Sequence, residues 1–406
     1  MITPLIPLKD IVTFKGGGTP SKKNPEFWDG NIPWASVKDF KNQKLSKTQD
    51  HISLLGLNNS SSNLIAKGHV IIPTRMALGK AAINTIDLAI NQDLRALIPK
   101  IEIHTEYLLY AVLSLANEIE KLGSGATVKG ITQENLYNLN IRLHNFDDQI
   151  RIATLLSRVE ALIATRKDNL RLLDEFLKST FLEMFGDPVR NEKGWVISDF
   201  SALFSTPPRI GTIEPVSSDG NIPVVRVGEL GSKEVNFCQC RYVSLTPNEI
   251  EKYKLIPGDI LLARAIGSQS HLGKASLFTS YTSEIVFDSH VMRIRFHRNL
   301  VDPIFLYNWL KSDGGRRCFL NASGRTSVQF NINSKQISTI VIPLPPIELQ
   351  NQFAAIVEKT ESLKNYYQQN LTELENLYGA LSQKAFKGEL DLSHIPLNQA
   401  LSGSSE

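Results

Sequence analysis

Four short segments of this 406-residue chain occur twice, in the same order. GNIPW at 30–34 returns as GNIPV at 220–224, and LIAKGHVIIPTR at 64–75 returns as LIPGDILLAR at 255–264. LGKAAI at 78–83 returns as LGKASL at 272–277, and SGATVKGIT at 124–132 returns as SGRTSVQFNIN at 323–333. One such match is noise. Four in register indicate a duplicated unit of roughly 190–200 residues. The fold is therefore expected to be built twice, from the same elements in the same order.

Each unit divides into two unlike parts. The first reads as mixed α and β. Short apolar runs such as VIIP (70–73) and DILLA (259–263) are bounded by Gly and Pro, as buried strands are. TEYLLYAVLSLANEIEKL (105–122) and DPIFLYNWLKS (302–312) have helical spacing. The second part is a long run without Gly or Pro at 146–185, and a matching run at 347–386. In the first run Leu156, Ile163, Leu170, Leu177 and Met184 recur every seven residues, with Val159 and Leu173 on the neighbouring seam and Arg166 interrupting it. In the second run Phe353, Thr360, Tyr367, Leu374 and Leu381 form one seam, and Ile356, Leu363, Asn370 and Leu377 the other. Sustained heptads predict coiled-coil helices, each roughly 60 Å long. Asn169 and Asn370 fall at equivalent places, where a polar seam residue can fix register or simply be exposed.

The expected class is α+β. Two similar mixed α/β domains (1–145 and 187–345) are separated by two long helices (146–186 and 346–388), and a disordered tail follows (389–406). The helices are expected to pair antiparallel, relating the two heads by a pseudo-twofold axis. Two heads on one rigid spacer have the geometry of a dimeric DNA reader fused into one chain, addressing two half-sites at fixed spacing. A coiled-coil scaffold whose heads bind proteins has the same outline.

Composition narrows the classes. No apolar run approaches the length needed to span a bilayer; YLLYAVLSLA at 107–116 runs into Asn117, Glu118 and Glu120. The N-terminus MITPLIPLKD lacks the pattern of a signal peptide, and a reducing cytoplasm is the expected compartment. Cys238 and Cys240 are an isolated pair and Cys318 is remote, so neither a disulfide framework nor a zinc site is expected. A net charge of +3 permits nucleic-acid binding without arguing for it.

FKGGGTPSKKNPEF at 14–27 contains F-x-G-x-G and N-P-x-F, shapes that hold S-adenosylmethionine and the target base in adenine methyltransferases. In those enzymes the motifs lie tens of residues apart in a nucleotide-binding α/β domain. Here they nearly touch, the second proline is missing, and no doubly wound βαβ series surrounds them. The stretch is read instead as a loop. Gly16, Gly17 and Gly18 would form a flexible turn of small steric demand, with Thr19 and Ser21 hydroxyls and Lys22 and Lys23 charges for phosphates. The plain alternative is a surface hairpin with two solvated lysines. No strand-borne carboxylate pair followed by E-x-K occurs, and no G-x-x-x-x-G-K-[ST], so neither nuclease nor motor chemistry is expected.

The chain resembles the specificity (S) subunit of type I restriction–modification systems over nearly its whole length. GGTPSKKNPEFWDGNIPWASVKDF at 17–40, PGDILLAR, SGATVKGIT and above all PLPPIELQNQFAAIVEK at 343–359 carry the resemblance. The first copy, IRLHNFDDQIRIA at 141–153, lacks the double proline. The resemblance implies that each head reads one half of a bipartite, asymmetric site in double-stranded DNA. It implies that the helices dock two modification subunits, which methylate adenine, and that restriction subunits can join them. S-adenosylmethionine, ATP and Mg would then belong to those partners, with no cofactor and no catalysis in this chain. Candidate DNA contacts besides those in the glycine loop are Arg75 and Arg264 at the ends of the repeated strands. Lys80 and Lys274 in LGKA, and Thr127, Lys129, Arg325 and Gln329 in the Ser-Gly loops, are of the same kind. Ser268, Gln269 and His271 stand in a polar loop of the second head, where Gln269 suits adenine. Trp34 and Asp39 read as structural. The helix-packing candidates are Leu156, Ile163, Leu170, Leu177, Phe353, Ile356, Leu363 and Leu374, which could pair with each other or with partner helices.

Overall fold

The computed structural model describes residues 3–125, 128–231, 235–237, 240–266, 274–322, 324–325 and 330–397. The chain divides into two units: residues 1–167 with 369–406, and residues 168–368. Each unit holds one head and one stretch of each long helix.

In the first unit, strand Leu5–Pro7 pairs antiparallel with Asn140–Arg142. A five-stranded sheet follows the order Val12–Gly16, Leu94–Pro99, Val70–Pro73, Ala82–Asn84, Lys44–Leu45. A second sheet has the order Asp50–Ile52, Ile32–Ala35, Leu88–Ile90, Asn63–Ile65. The run Val70-Ile71-Ile72 shows why these strands are apolar throughout. Successive side chains point to opposite faces. Val70 and Ile72 join a core under helix Thr105–Ser114, whereas Ile71 joins Ile90, Ala82 and Leu94 between the sheets. A strand buried on both faces needs no polar alternation.

The second unit repeats this plan. Val196–Asp199 pairs with Val341–Leu344. The main sheet has the order Phe204–Ile210, Val291–Phe296, Ile260–Ala263, Ala275–Leu277, and the facing sheet Arg241–Val243, Ile222–Val225, Val286–Phe287. Ile260 and Leu262 face the helical core while Leu261 and Ala263 face the other sheet. The duplication read from four short segments thus extends to the core of both sheets, while the edge strands Lys44–Leu45 and Asn63–Ile65 of the first unit have no counterpart among the described residues of the second.

The long helices span Phe146–Phe185 and Ile347–Lys387. In the first unit Lys167 pairs with Glu375 at 2.8 Å, while Leu156, earlier in its helix, shares a core with Tyr378 and Ala385, later in theirs. In the second unit Asp174 pairs with Lys364 at 2.7 Å, and Phe181 and Phe185 pack on Phe353. Both stretches are therefore antiparallel. The seam of the first helix follows the heptads: Leu156 and Leu177 are buried, and Ile163, Leu170 and Leu173 half-buried. In the second helix Phe353, Thr360, Tyr367 and Leu374 face inward as expected. The companion seam differs by one residue: Val357, Lys364, Leu371, Tyr378 and Ala385 form it, leaving Leu363 and Leu377 exposed and Ile356 half-buried. Apolar character alone misplaces the seam because the Lys364 stem covers apolar surface while its ammonium reaches Asp174 and Glu361. Asn169 and Asn370 are both half-buried.

A buried glutamine ties each long helix to its head. In the first unit Gln149 accepts the His104 N–H at 2.9 Å and donates to the His144 carbonyl at 2.9 Å. In the second, Gln350 accepts the Asp302 N–H at 2.9 Å and donates to the Leu300 and Pro345 carbonyls at 3.1 and 2.8 Å. His104 and Asp302 precede equivalent helices, Thr105–Ser114 and Pro303–Lys311. The missing double proline in the first copy leaves this clamp intact.

Of the tail, residues 398–406 lie outside the described residues. Just past the second long helix, Leu390 and Leu392 pack on the first core, and Arg151 Nε donates to the Ile395 carbonyl at 3.0 Å.

The two units differ beside the helices. In the first, the Tyr110 hydroxyl donates to Glu160 Oε2 at 3.0 Å. In the second the counterpart Asn308 turns its amide back to the Ile304 carbonyl at 2.8 Å, and a cavity of about 520 Å³ opens beside Asp174, Phe181, Glu361 and Lys364. Burial pushes the Glu160 carboxyl above the usual range, against the pull of the Tyr110 hydroxyl and Lys44. A carboxyl raised in the folded state contributes stability that is full below its unfolded pKa and is lost as pH rises through the folded value. Glu160→Gln keeps the acceptor and removes that loss. Its thermal midpoint is expected to gain on wild type as pH rises from about 4 to 7. A constant difference between the two proteins over that range contradicts this assignment.

Among the described residues no helix is long and apolar enough to cross a membrane, and no group of three or more His, Cys, Asp or Glu side chains could hold a metal. Cys238 lies outside the described residues; Cys240 and Cys318 form no disulfide.

Candidate nucleic-acid interface

In the first head four segments meet at one edge of the paired sheets. They follow strands Val12–Gly16 and Val70–Pro73, join Leu88–Ile90 to Leu94–Pro99, and include the bridge of Ser124 to Gly130. The backbone builds the frame. Gly18 N–H donates to the Ile90 carbonyl at 3.0 Å, Thr74 N–H to Asp93 at 2.7 Å, and Ile131 N–H to Thr74 at 3.0 Å. The second head repeats it: Thr212 N–H to Phe287 at 2.9 Å, Arg264 N–H to His290 at 3.0 Å, and Ile332 N–H to Arg264 at 3.1 Å.

The glycine loop has a different role from the flexible turn expected of it. A Cβ on Gly17 would lie 1.9 Å from the Ile90 carbonyl oxygen, and one on Gly18 2.1 Å from Ser61 Oγ. The Gly18 carbonyl accepts from Trp34 Nε1 at 3.0 Å and Ser62 Oγ at 2.6 Å. These glycines therefore let one sheet's strand close on the other, and Gly211 does the same against Phe287 at 2.0 Å. Trp34 is core, and Asp39 caps its own turn through the Ser36 N–H. Beyond the glycines Thr19, Ser21, Lys22 and Lys23 are exposed.

Side chains on this edge form a chain of contacts. The Thr19 hydroxyl donates to the Gln92 side-chain oxygen, and Gln92 Nε2 to Asp93 Oδ2 at 3.4 Å. Asp93 stands 3.9 Å from Arg75 Nε. Arg75 is 66% exposed, so this loose pair holds it weakly and leaves its guanidinium open to a ligand. Lys129 is exposed on the adjoining hairpin. Lys80 lies further along its loop, with Nζ 3.4 Å from the Phe40 carbonyl.

Arg75 and Arg264 are not counterparts. Pro73 pairs with Leu94 and Ala263 with Val291, so Arg264 takes the place of Thr74. A shift of one residue turns a strand side chain to the other face. Arg264 is half-buried and donates to the Ser289 carbonyl at 3.1 Å. Lys80 and Lys274 are counterparts, since Ile83 and Leu277 pair with the equivalent Val70 and Ile260. Lys274 is half-buried. Arg325 is placed by its backbone pairing with Phe330. Thr127, Ser268, Gln269, His271 and Gln329 lie outside the described residues.

Gln92 and His290 were not singled out in the sequence. They occupy equivalent turns, INQDL at 90–94 and FDSHV at 287–291. The signal was present as an apolar-polar-polar-polar-apolar repeat preceding the strands Leu94–Pro99 and Val291–Phe296. His290 is exposed, with Nδ1 3.1 Å from Asp288 Oδ2.

Comparison with known proteins agrees with this duplication. Residues 5–173 and 209–376 match the family described as Type I restriction modification DNA specificity domain. The chain is 25% identical to the type I restriction enzyme MjaIX specificity subunit of Methanocaldococcus jannaschii, covering 96% of this chain and 93% of that one. The crystal structure of the S subunit of a type I restriction-modification system from M. genitalium superposes with a TM-score of 0.54 at 16% identity, covering 94% of this chain and 96% of that one. A chain from a type I restriction–modification structure on complex assembly and conformational transition gives 0.58 at 17% identity, covering 95% and 98%. With two copies of the family's domain filling most of its length, the chain belongs to the type I restriction–modification DNA specificity family.

Proposed function

We propose that this specificity subunit reads a bipartite, asymmetric site in double-stranded DNA, one half with each head, and docks two modification subunits along its long helices. The observation that carries this reading is a repeated backbone frame bearing different side chains. Thr19, Gln92 and Arg75 stand on one frame, and His290 and Arg264 on the other. A common frame presents its loops alike, and unlike side chains select unlike bases. Exposed Lys22, Lys23 and Lys129 supply charge for phosphates. Methylation and, where restriction subunits join, cleavage belong to the partners, with S-adenosylmethionine, ATP and Mg bound there, in the cytoplasm.

The test is binding of the full chain, with its modification subunits, to a randomised duplex pool. Selection should enrich two short, unlike sequences at a fixed spacing. Affinity for the enriched duplex should fall about 10³-fold or more between 50 and 200 mM salt, as expected of six or more phosphate contacts. Binding without enrichment and without salt dependence supports a protein-interaction scaffold instead.

A further inference from the structure

We propose that Met76 is a base-contacting residue of the first head, reading a thymine methyl group in one half-site. The inference rests on the DNA-reading function proposed above. Met76 is one of two non-glycine residues with positive φ among the described residues, at φ 65°. Its side chain is 62% exposed. The Ala77 N–H donates to the Arg75 carbonyl at 2.7 Å, closing a three-residue γ-turn with Met76 at its tip. That turn is rare and strained, and persists where the surroundings impose it. Here they do. The Met76 N–H is bonded to the Lys129 carbonyl at 3.2 Å, and Arg75 bridges to Gly130. The chain thus fixes a strained turn whose effect is to present an unbranched thioether to solvent.

Arg75 and Lys129 flank that tip, and both are exposed. Two cations beside an apolar side chain suit a groove of DNA, with phosphates at its walls and bases at its floor. The thymine C5-methyl is the apolar group that base pairs present in the major groove. Met is polarisable and adapts to such a surface. The corresponding position of the second head is paired backbone, Ala265 and Ile266 against Asn331 and Phe330, so the feature belongs to one half-site.

The experiment uses Met76→Gly in the full chain. Glycine accepts positive φ freely, so the thermal midpoint should be unchanged or higher. Wild type and variant, each with modification subunits, are selected against the same randomised duplex pool. The expected result is loss of preference at an A·T position in one half-site with the other half-site intact. Replacing that thymine by uracil should weaken wild type about fourfold, the worth of one buried methyl, and leave the variant unchanged. If the variant enriches the same motif with the same strength, the inference is wrong. Loss of preference without a uracil effect also overturns the methyl contact. If wild type enriches nothing, the proposed function itself fails, and the two failures are told apart.

Discussion

Gln350→Leu should lower the stability of the second unit by about 3–5 kcal/mol, seen as a fall of roughly 6–20 °C in its thermal midpoint. Leucine matches the volume and offers no hydrogen bond. The Asp302 N–H and the Leu300 and Pro345 carbonyls would each lose a partner, at a residue that is 0% exposed. Removing one side of a buried polar contact costs more than the bond's net worth, because the groups left behind are desolvated. Gln149→Leu should act likewise on the first unit, where two backbone groups depend on it. The consequence reaches function because the glutamine sets where a long helix leaves its head. Scanning calorimetry of the full-length variants is the check. A midpoint within about 2 °C of wild type would mean that water or a neighbour replaces the amide.

The second large effect is expected from a single methyl group. Gly17→Ala places a Cβ 1.9 Å from the Ile90 carbonyl oxygen, and Gly211→Ala places one 2.0 Å from that of Phe287. Both obstacles are backbone, so the sheets must separate, at a cost of about 3 kcal/mol or more. Gly228 is the control, since nothing lies within 4 Å of the Cβ it lacks, and Gly228→Ala should change stability by less than about 0.5 kcal/mol. The sheet junction also positions the loops. Gly17→Ala should therefore impair discrimination in one half-site and Gly211→Ala in the other, read by duplex binding below the midpoint of each variant. Equal losses in both half-sites from either substitution would contradict the assignment of one reader to each head.

Much of the fold was legible because repetition is a robust signal. The VIIP and ILLA strands and the heptads of the first long helix all stand where pattern placed them. The second helix shows the limit. Ile356, Leu363 and Leu377 look like a seam, yet the chain buries Val357 and Leu371, with the Lys364 stem lying between them. Hydrophobicity does not register that a lysine can cover apolar surface and still reach two carboxylates. The glycine run misled in another way. Its composition suits a mobile turn, and only the facing Ile90 carbonyl reveals that Gly17 is a point of closest approach. Arg75 and Arg264 end similar-looking segments, but the strand register separates them by one residue and turns them to different faces. Positive φ at Met76 leaves no trace in composition at all, because the neighbouring hairpin imposes it.

Adenine methylation across the genome of the source cell, with and without this gene, tests the central claim most directly. The account predicts that deletion abolishes methylation at one bipartite, asymmetric motif. It further predicts that exchanging residues 187–345 for those of a relative changes one half of that motif and spares the other. A deletion that leaves every methylated motif in place, in a cell whose modification subunits are expressed, would contradict it.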